Sequence, residues 1–381
     1  MKKTLLVILD GAADEGQSAF AAAKKPYLDM LASNSTCGLW SGPHAPHYNP
    51  RSMSSVATLE ILGYSYHDEP GRGYLEALGM DLKPGSSLCV RGNFASVDKN
   101  MNFIDRRAGR DEHGLDTLVR DINRKIKKVK GVKIKVHRLV GHRVVIMLTG
   151  SGLDKHVTDS DYGKKTRPIR PLDHRARKTA DILNEFAKDV YEILSNHPVN
   201  KKRKVPANYI ILRGVGSRQK VRNFNKKYGV KACSISGVNI IRGTSRYLGI
   251  SIIDMPLSQL ENDLHLRARK AIDALDRYNF VILHINGADT YAHDKNFAAK
   301  VKFLEKVDAE VFSHITKLRS INIAVISDHI TNSKTGEHIF GPVPFLIYSP
   351  EEDTEEEYKF DEKNCQGSFV SDNPMKKILS V

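Results

Sequence analysis

The sequence has few cysteines and almost no tryptophan: four Cys (Cys37, Cys89, Cys233, Cys365) and one Trp in 381 residues. The cysteines lie far apart with no CxxC spacing. That argues against a zinc ribbon or a disulfide framework and suits a reducing cytoplasm. No apolar run approaches the roughly 20 residues that cross a bilayer, so no membrane association is expected. Acidic residues are in deficit: 44 Asp and Glu against 59 Lys and Arg leave a formal charge of +15. A basic surface can serve nucleic acid. Here the cations are scattered, no zinc-finger spacing or aromatic-interleaved RNA signature accompanies them, and no nucleic acid partner is expected. The densest run is Lys201-Lys202-Arg203-Lys204. There is no internal repeat and no low-complexity tract.

The length suggests two domains at about 100–200 residues each. The opening run Leu5–Leu9 is too short for a signal peptide and is broken by Asp10. It predicts a buried strand ending at Asp10-Gly11, where open α/β sheets bind ligands. Helices are expected over Pro26–Leu31 and Val56–Leu62. From about Leu82 to Ser217 the pattern changes to an α+β unit. Its strands are expected at Cys89–Val97, Asn102–Arg106, Lys133–Leu139, Arg143–Leu148 and Tyr209–Leu212, and its helices at Leu115–Lys128 and His174–Leu194. An alternating pattern then resumes. Strands are expected at Lys231–Ile235, Ile250–Asp254, Phe280–Ile285, Asn322–Ser327 and Pro344–Tyr348. The helices between them are Asn239–Leu248, Leu260–Tyr278 and Phe303–Leu318. Alternation of this kind predicts a mostly parallel sheet covered on both faces, hence a core of 1–81 and 218–381 carrying an insert of 82–217.

Candidate metal ligands fall at or soon after the predicted strand ends. Asp10 follows the first strand. Asp289 and His293 are four apart, so on a helical turn they face the same way and can grip one ion. Asp328 and His329 follow another strand, and His338 lies nine residues beyond in a polar loop. Each feature alone is commonplace, as a turn or a surface pair. Three Asp and three His in this order point together to mixed carboxylate–imidazole ligation of Mn²⁺, Zn²⁺ or Mg²⁺. Two such ions would clamp an in-line phosphoryl transfer. The hydroxyls of Arg51-Ser52-Met53-Ser54-Ser55-Val56 precede a helix and offer a nucleophile, with plain N-capping as the alternative.

The order strand-Asp10, serine segment, insert, Asp-x-x-x-His, Asp-His and late His resembles the alkaline phosphatase superfamily. More narrowly it resembles the cofactor-independent phosphoglycerate mutases of archaeal type. The insert carries the specific motifs: Arg91-Gly92-Asn93-Phe94-Ala95, Asp105-Arg106-Arg107-Ala108-Gly109-Arg110, Gly141-His142-Arg143, Asn196–Arg203 and Leu212-Arg213-Gly214. Gly341-Pro342-Val343-Pro344 adds to them. The resemblance implies an alkaline-phosphatase-like, doubly wound α/β sheet with an inserted α+β lid domain. It implies interconversion of 3-phosphoglycerate and 2-phosphoglycerate through a phosphoserine, without bisphosphoglycerate. A phosphohydrolase, or a mutase for another small phosphorylated acid, is the alternative. Asp289, His293 and His338 would hold one divalent ion, and Asp10, Ser54, Asp328 and His329 the other. Mn²⁺ leads, with Mg²⁺, Zn²⁺ and Co²⁺ as alternatives. Ser54 would be the nucleophile, with Ser52 or Ser55 if the register slips. Asp105, Arg106, Arg107, Arg110, His142, Arg143, Arg213 and Arg242 would bind substrate. The sequence departs from the family pattern at Met53-Ser54-Ser55, usually Gly-Ser-Asp, at Thr58, usually His, and at Leu257-Ser258-Gln259, usually glycine-rich. It departs also at Arg242, usually Lys, which keeps the charge but not its compactness.

Overall fold

The computed structural model describes residues 2–44, 53–257, 262–351, 359–366 and 370–381. The chain divides into two compact units, residues 1–69 with 221–381, and residues 70–220.

The first unit is built on an eight-stranded sheet. Its order is Ser251–Ile253, Ala232–Ile235, Phe280–Ile285, Thr4–Leu9, Asn322–Ser327, Val343–Tyr348, Thr36–Trp40, Val370–Ser371. Neighbours are parallel except that Val343–Tyr348 runs against both of its partners. The central strand Thr4–Leu9 is buried throughout. Leu5, Val7 and Leu9 enter one core and Leu6 and Ile8 another, so both faces of the sheet are covered. That is why the run lacks polar alternation. The register sets Leu9 beside both Ile285 and Ser327. The chain therefore leaves three adjacent strands at one level, at Asp10, Asn286 and Asp328.

The helix expected over Phe303–Leu318 is in fact Phe297–Val307, a wider turn Asp308–Phe312, and Ser313–Ile315. Asn296 caps its start through the Ala299 amide. The wider turn coincides with a buried acid. Asp308 accepts the amides of Tyr27 (3.3 Å) and Leu28 (2.8 Å), the opening residues of the helix Pro26–Ser33. That helix has no side-chain cap of its own, and Asp308 satisfies its free donors from a distant part of the sequence. The strands Thr36–Trp40 and Val370–Ser371 carry no sequence signal strong enough to predict them. His338, expected in a loop, lies instead in the strand Glu337–Ile339, paired with Ile330–Asn332.

The second unit is an antiparallel sheet in the order Tyr209–Gly216, Leu88–Val97, Arg143–Thr149, Val132–Arg138, Lys128–Val129. In Val132–Arg138 the residues Val132, Ile134 and Val136 point inward while Lys133 and Lys135 face solvent. The inward side packs on the helices Leu115–Lys125 and Arg177–Ser195. The expected helix Leu115–Lys128 stops at Lys125, because Lys128–Val129 turns back through Lys130-Gly131. Both turn residues have positive φ (44° and 79°), the geometry of a tight two-residue hairpin.

The basic run at Lys201–Lys204 has a structural member. Arg203 turns inward and donates to the carbonyls of Ala108 (2.9 Å), Asp111 (2.7 Å), His113 and Val205 (3.2 Å). His197 meets Asp121 at 2.9 Å, and Asn200 bonds Leu194 and Ala207. The Asn196–Arg203 motif thus ties the end of the long helix to the 108–113 loop. Arg203→Ala should destabilise the protein by about 2–4 kcal/mol, read as a lowered urea midpoint, because it removes four charge-assisted bonds at once, one to a buried carbonyl and three to partly buried ones. An unchanged midpoint would show that those carbonyls rehydrate without cost.

Candidate active site

Five chain segments of the first unit converge at the carboxyl ends of its central strands. Asp10 follows Thr4–Leu9, and its amide bonds Ile285 O at 2.8 Å. Phe280–Ile285 leads into the helix Gly287–His293, which carries Asp289 and His293. As expected from their spacing, the two face the same way, with His293 Nε2 3.5 Å from Asp289 Oδ2. Asp328 and His329 follow Asn322–Ser327. The Ile330–Asn332 and Glu337–Ile339 hairpin swings His338 back, placing its Nε2 3.2 Å from Asp289 Oδ1 and 3.0 Å from His293 Nε2. The helix Met53–Ile61 brings Ser54 in its first turn.

Ser54 Oγ lies 3.4 Å from Asp10 Oδ1 and 3.3 Å from His329 Nε2. His329 Nε2 is 3.1 Å from Asp10 Oδ1. Ser55 is buried one step round the helix. Thr58 donates to Ser54 O at 2.7 Å and braces the turn. Ser52 lies outside the described residues. Ligand atoms of Asp289, His293 and His338 lie within 4.8 Å of one another, as do those of Asp10, Asp289 and His329. A third such group joins Asp10 and Asp328 to His284, a residue the sequence reading missed. His284 is a lone imidazole inside a hydrophobic strand, and only the fold places its Nε2 3.5 Å from Asp10 Oδ2.

The electrostatics are unbalanced without a cation. Burial, and then the charge of Asp10, push the Asp328 carboxyl well above the usual carboxylate range. Burial lowers His329 to about 4 and His284 to about 3. Both imidazoles are thus neutral, the form that ligates metals. Burial would raise Asp289, but the hydrogen bond from His338 and the nearby imidazoles outweigh it and hold the carboxyl low. Among the described residues, the buried Asp328 Oδ2 and His284 Nε2 have no hydrogen-bond partner. Crowded carboxylates, neutral imidazoles and unsatisfied lone pairs fit divalent cations. Gly11 is required here: its φ is +58°, and a Cβ would sit 2.5 Å from Thr331 Oγ1 and 2.7 Å from Asp289 Oδ1.

The second unit holds its own cluster. Arg91 is buried, and burial followed by the charge of Arg72 depresses its guanidinium, with Arg213 and Arg143 adding to the effect. His142 is lowered to about 3 by burial and by Arg143, Arg107, Arg91 and Arg213. Two carboxylates offset these cations in part. Glu76 lies 3.4 Å from Arg72 and 3.8 Å from Arg91, and Asp161 pairs with Arg106 and lies 3.3 Å from Arg213. Cations in excess of carboxylates make an anion-binding group. Of the predicted contacts, Arg107, His142, Arg143 and Arg213 lie within each other's field. Arg106 stacks on Phe103 (4.1 Å), Asp105 accepts the Arg107 amide at 2.6 Å, and Arg110 is exposed. Arg72 and Glu76 were not singled out from sequence, and Arg91 was quoted within a motif but not as a substrate contact. In the first unit, the Arg242 guanidinium bonds Met255 O (3.0 Å) and Asp254 Oδ1 (2.7 Å).

The fold and the site define a class of α/β enzyme in which a serine hydroxyl meets clustered Asp and His side chains at parallel strand ends. A sequence profile of the 2,3-bisphosphoglycerate-independent phosphoglycerate mutases matches residues 32–200. The Methanocaldococcus jannaschii 2,3-bisphosphoglycerate-independent phosphoglycerate mutase 1 is 35% identical over 95% of this chain and 92% of its own. The mutase of Picrophilus torridus is 38% identical over 97% and 94%. The solved cofactor-independent phosphoglycerate mutase of Thermoplasma acidophilum superposes with a TM-score of 0.70 at 26% identity, covering 100% of this chain and 99% of that one. The chain belongs to the 2,3-bisphosphoglycerate-independent phosphoglycerate mutase family.

Proposed function

We propose that this chain interconverts 3-phosphoglycerate and 2-phosphoglycerate, with Ser54 taking the phosphoryl group from one glycerate hydroxyl and returning it to the other. The observation that carries this reading is the Ser54 hydroxyl, held between Asp10 Oδ1 and His329 Nε2 at the strand ends. Asp10 accepts the Ser54 hydrogen and aims an oxygen lone pair outward. The Oγ–P bond forms as the bond from phosphorus to the glycerate oxygen breaks, the serine proton passing to that oxygen; the reverse exchange at the neighbouring hydroxyl, whose proton returns to Oγ, completes the turnover. No bisphosphoglycerate is needed, because the enzyme itself stores the phosphoryl group.

Asp289, His293 and His338 would hold one divalent ion, and Asp10, Ser54, Asp328 and His329 the other. Bound there, such ions neutralise charge on the phosphoryl oxygens and make the serine hydroxyl more acidic. Neutral imidazole donors favour Mn²⁺, Zn²⁺ or Co²⁺ over Mg²⁺. We assign the cations of the second unit, with Arg91 and Arg72 added to Arg106, Arg107, His142, Arg143 and Arg213, to the carboxylate and phosphate of phosphoglycerate. Asp105, Arg110 and Arg242 remain assigned to the substrate on the resemblance alone. The four cysteines are buried free thiols, which fits a reducing cytoplasm.

An enolase-coupled assay with 3-phosphoglycerate, Mn²⁺ and no bisphosphoglycerate tests the proposal, with inorganic phosphate measured in parallel. Formation of 2-phosphoglycerate should far exceed phosphate release. The opposite ratio would make the chain a phosphohydrolase on the same site.

A further inference from the structure

The scatter of cations along the sequence hides an uneven division between the two units. The second unit carries more than half of the 59 Lys and Arg but little more than a third of the 44 Asp and Glu. The whole excess of +15 therefore belongs to it, and the first unit is slightly acidic. Within the second unit, residues 124–138 hold eight Lys and Arg and no carboxylate. This stretch ends the helix Leu115–Lys125 and forms the hairpin of Lys128–Val129 with Val132–Arg138. The pleat sorts its side chains. Val129, Val132, Ile134 and Val136 enter the core beneath the sheet. Lys128, Lys133 and Lys135 stand on the opposite face and are exposed, as are Lys127 and Lys130 at the hairpin's ends.

Two observations separate this row from an ordinary solvated face. Lys128 lies directly opposite Lys133 in the strand register, and like charges so placed are destabilising. Lys130 meets Glu185 at 3.5 Å, whereas among the described residues Lys127, Lys128, Lys133 and Lys135 have no carboxylate partner. Nor does the row belong to the phosphoglycerate cluster. From the register and strand spacing, Lys135 is roughly 12 Å and Lys133 roughly 16 Å across the sheet from Arg91. Both distances exceed the Debye length of about 8 Å at physiological ionic strength, so a phosphate beside Arg91 is screened from them.

The face also lacks the features that two other polyanions require. Its apolar residues, Ile126 included, are all buried. Nothing is left to enter a lipid layer, and a polybasic patch without such an anchor holds a membrane weakly. The stretch has no Phe, Tyr or Trp to stack on an unpaired base. A row of cations with neither feature fits the regular phosphates of a double helix.

We propose that Lys127, Lys128, Lys133 and Lys135 form a binding face for the phosphate backbone of double-stranded nucleic acid, without reading its sequence. The missing zinc-finger spacing and interleaved aromatics exclude base recognition only; backbone contacts need neither. This binding is independent of the phosphoryl-transfer site.

Fluorescence anisotropy with the full chain tests it, using a labelled RNA duplex and the DNA duplex of the same sequence. Both should bind with dissociation constants of about 10⁻⁴–10⁻⁶ M at physiological salt, and more tightly at lower salt. Lys133→Glu/Lys135→Glu should weaken both at least about tenfold and reduce the salt slope by about 2. Lys201→Glu/Lys202→Glu makes the same change in net charge. Those exposed lysines lie in the helix Pro198–Lys202, which Asn200 ties to Ala207 beside the strand at the other edge of the sheet. That variant should cost less than about threefold. An acid at position 133 faces Lys128, so the double reversal should not lower the melting temperature. If it does not fold, Lys133→Gln/Lys135→Gln replaces it, with the same loss of slope expected. Equal losses from the two reversals would assign binding to net charge and overturn the proposal. So would absence of duplex binding at low salt, or a preference of more than about tenfold for one duplex, which phosphates alone do not explain. Binding to vesicles of phosphatidylserine and phosphatidylcholine but to neither duplex would make the face a membrane contact instead.

Discussion

Ser54→Ala should abolish interconversion of the phosphoglycerates, with kcat falling by at least about 10⁴-fold, since the Ser54 hydroxyl is the one held between Asp10 Oδ1 and His329 Nε2. Ser54 opens the helix Met53–Ile61 and is only partly buried. Alanine favours helix, so stability should change by less than about 1 kcal/mol. The loss is therefore chemical rather than structural. Acid quenching of the wild type with ³²P-labelled 3-phosphoglycerate should leave label on the protein, and Ser54→Ala should take up none. Ser55→Ala is the internal comparison, because that residue is the next hydroxyl along the helix and is buried. A Ser54→Ala enzyme that turns over at the parent rate would remove Ser54 from the mechanism.

Asp328→Asn should separate activity from stability. Asp10 and Asp328 are both buried, and Asp328 accepts the Gly11 amide at 2.9 Å. Asparagine can still accept that bond through its Oδ1, while the second buried carboxylate disappears. Without metal, the variant should be as stable as the parent or more so, by about 1–2 kcal/mol. The two proteins should also differ in pH dependence. The Asp328 carboxyl is raised in the folded state, so its contribution to stability is present at low pH and lost as pH rises through the raised value. Metal-free wild type should therefore lose stability on that rise, and Asp328→Asn should lose less. Turnover with Mn²⁺ should drop by about 10³-fold or more, and the rise in melting temperature on adding Mn²⁺ should shrink. A fully active Asp328→Asn would exclude Asp328 as a ligand.

The legible parts of the site were those whose chemistry is local. Asp10 was visible because a polar residue ends an apolar run. Asp289 and His293 were visible because a spacing of four on a helical turn aligns them, and Asp328-His329 because it closes a strand. Residues supplied by distant chain were not legible. His284 sits within the apolar strand Phe280–Ile285 and looks like an ordinary core residue until Asp10 is seen beside it. Thr331, whose hydroxyl bonds Asp289, and the buried Lys300, which donates to Ala13 O and Asp14 Oδ2, have no local signature. The cap that Asp308 gives to the helix Pro26–Ser33 reaches across 280 residues of sequence, which is why the helix it interrupts was expected to be continuous. Arg72 and Arg91 differ from solvated surface arginines in where the fold puts them, both beside Glu76 and Arg91 buried.

The sequence by itself determined the mostly parallel sheet and the strand-end places of the candidate Asp and His side chains, since periodicity and strand-end placement are properties of neighbours along the chain. Only the tertiary structure brought the Ser54 hydroxyl to Asp10 and His329. It alone decided too that Thr331 links the two ligand groups and that Arg203 is a clamp within a basic run. The physical reason is common to all three. A side chain's role depends on where its polar atoms find partners, and here a deciding partner of each (Asp10 for Ser54, Asp289 for Thr331, Ala108 for Arg203) lies tens of residues away.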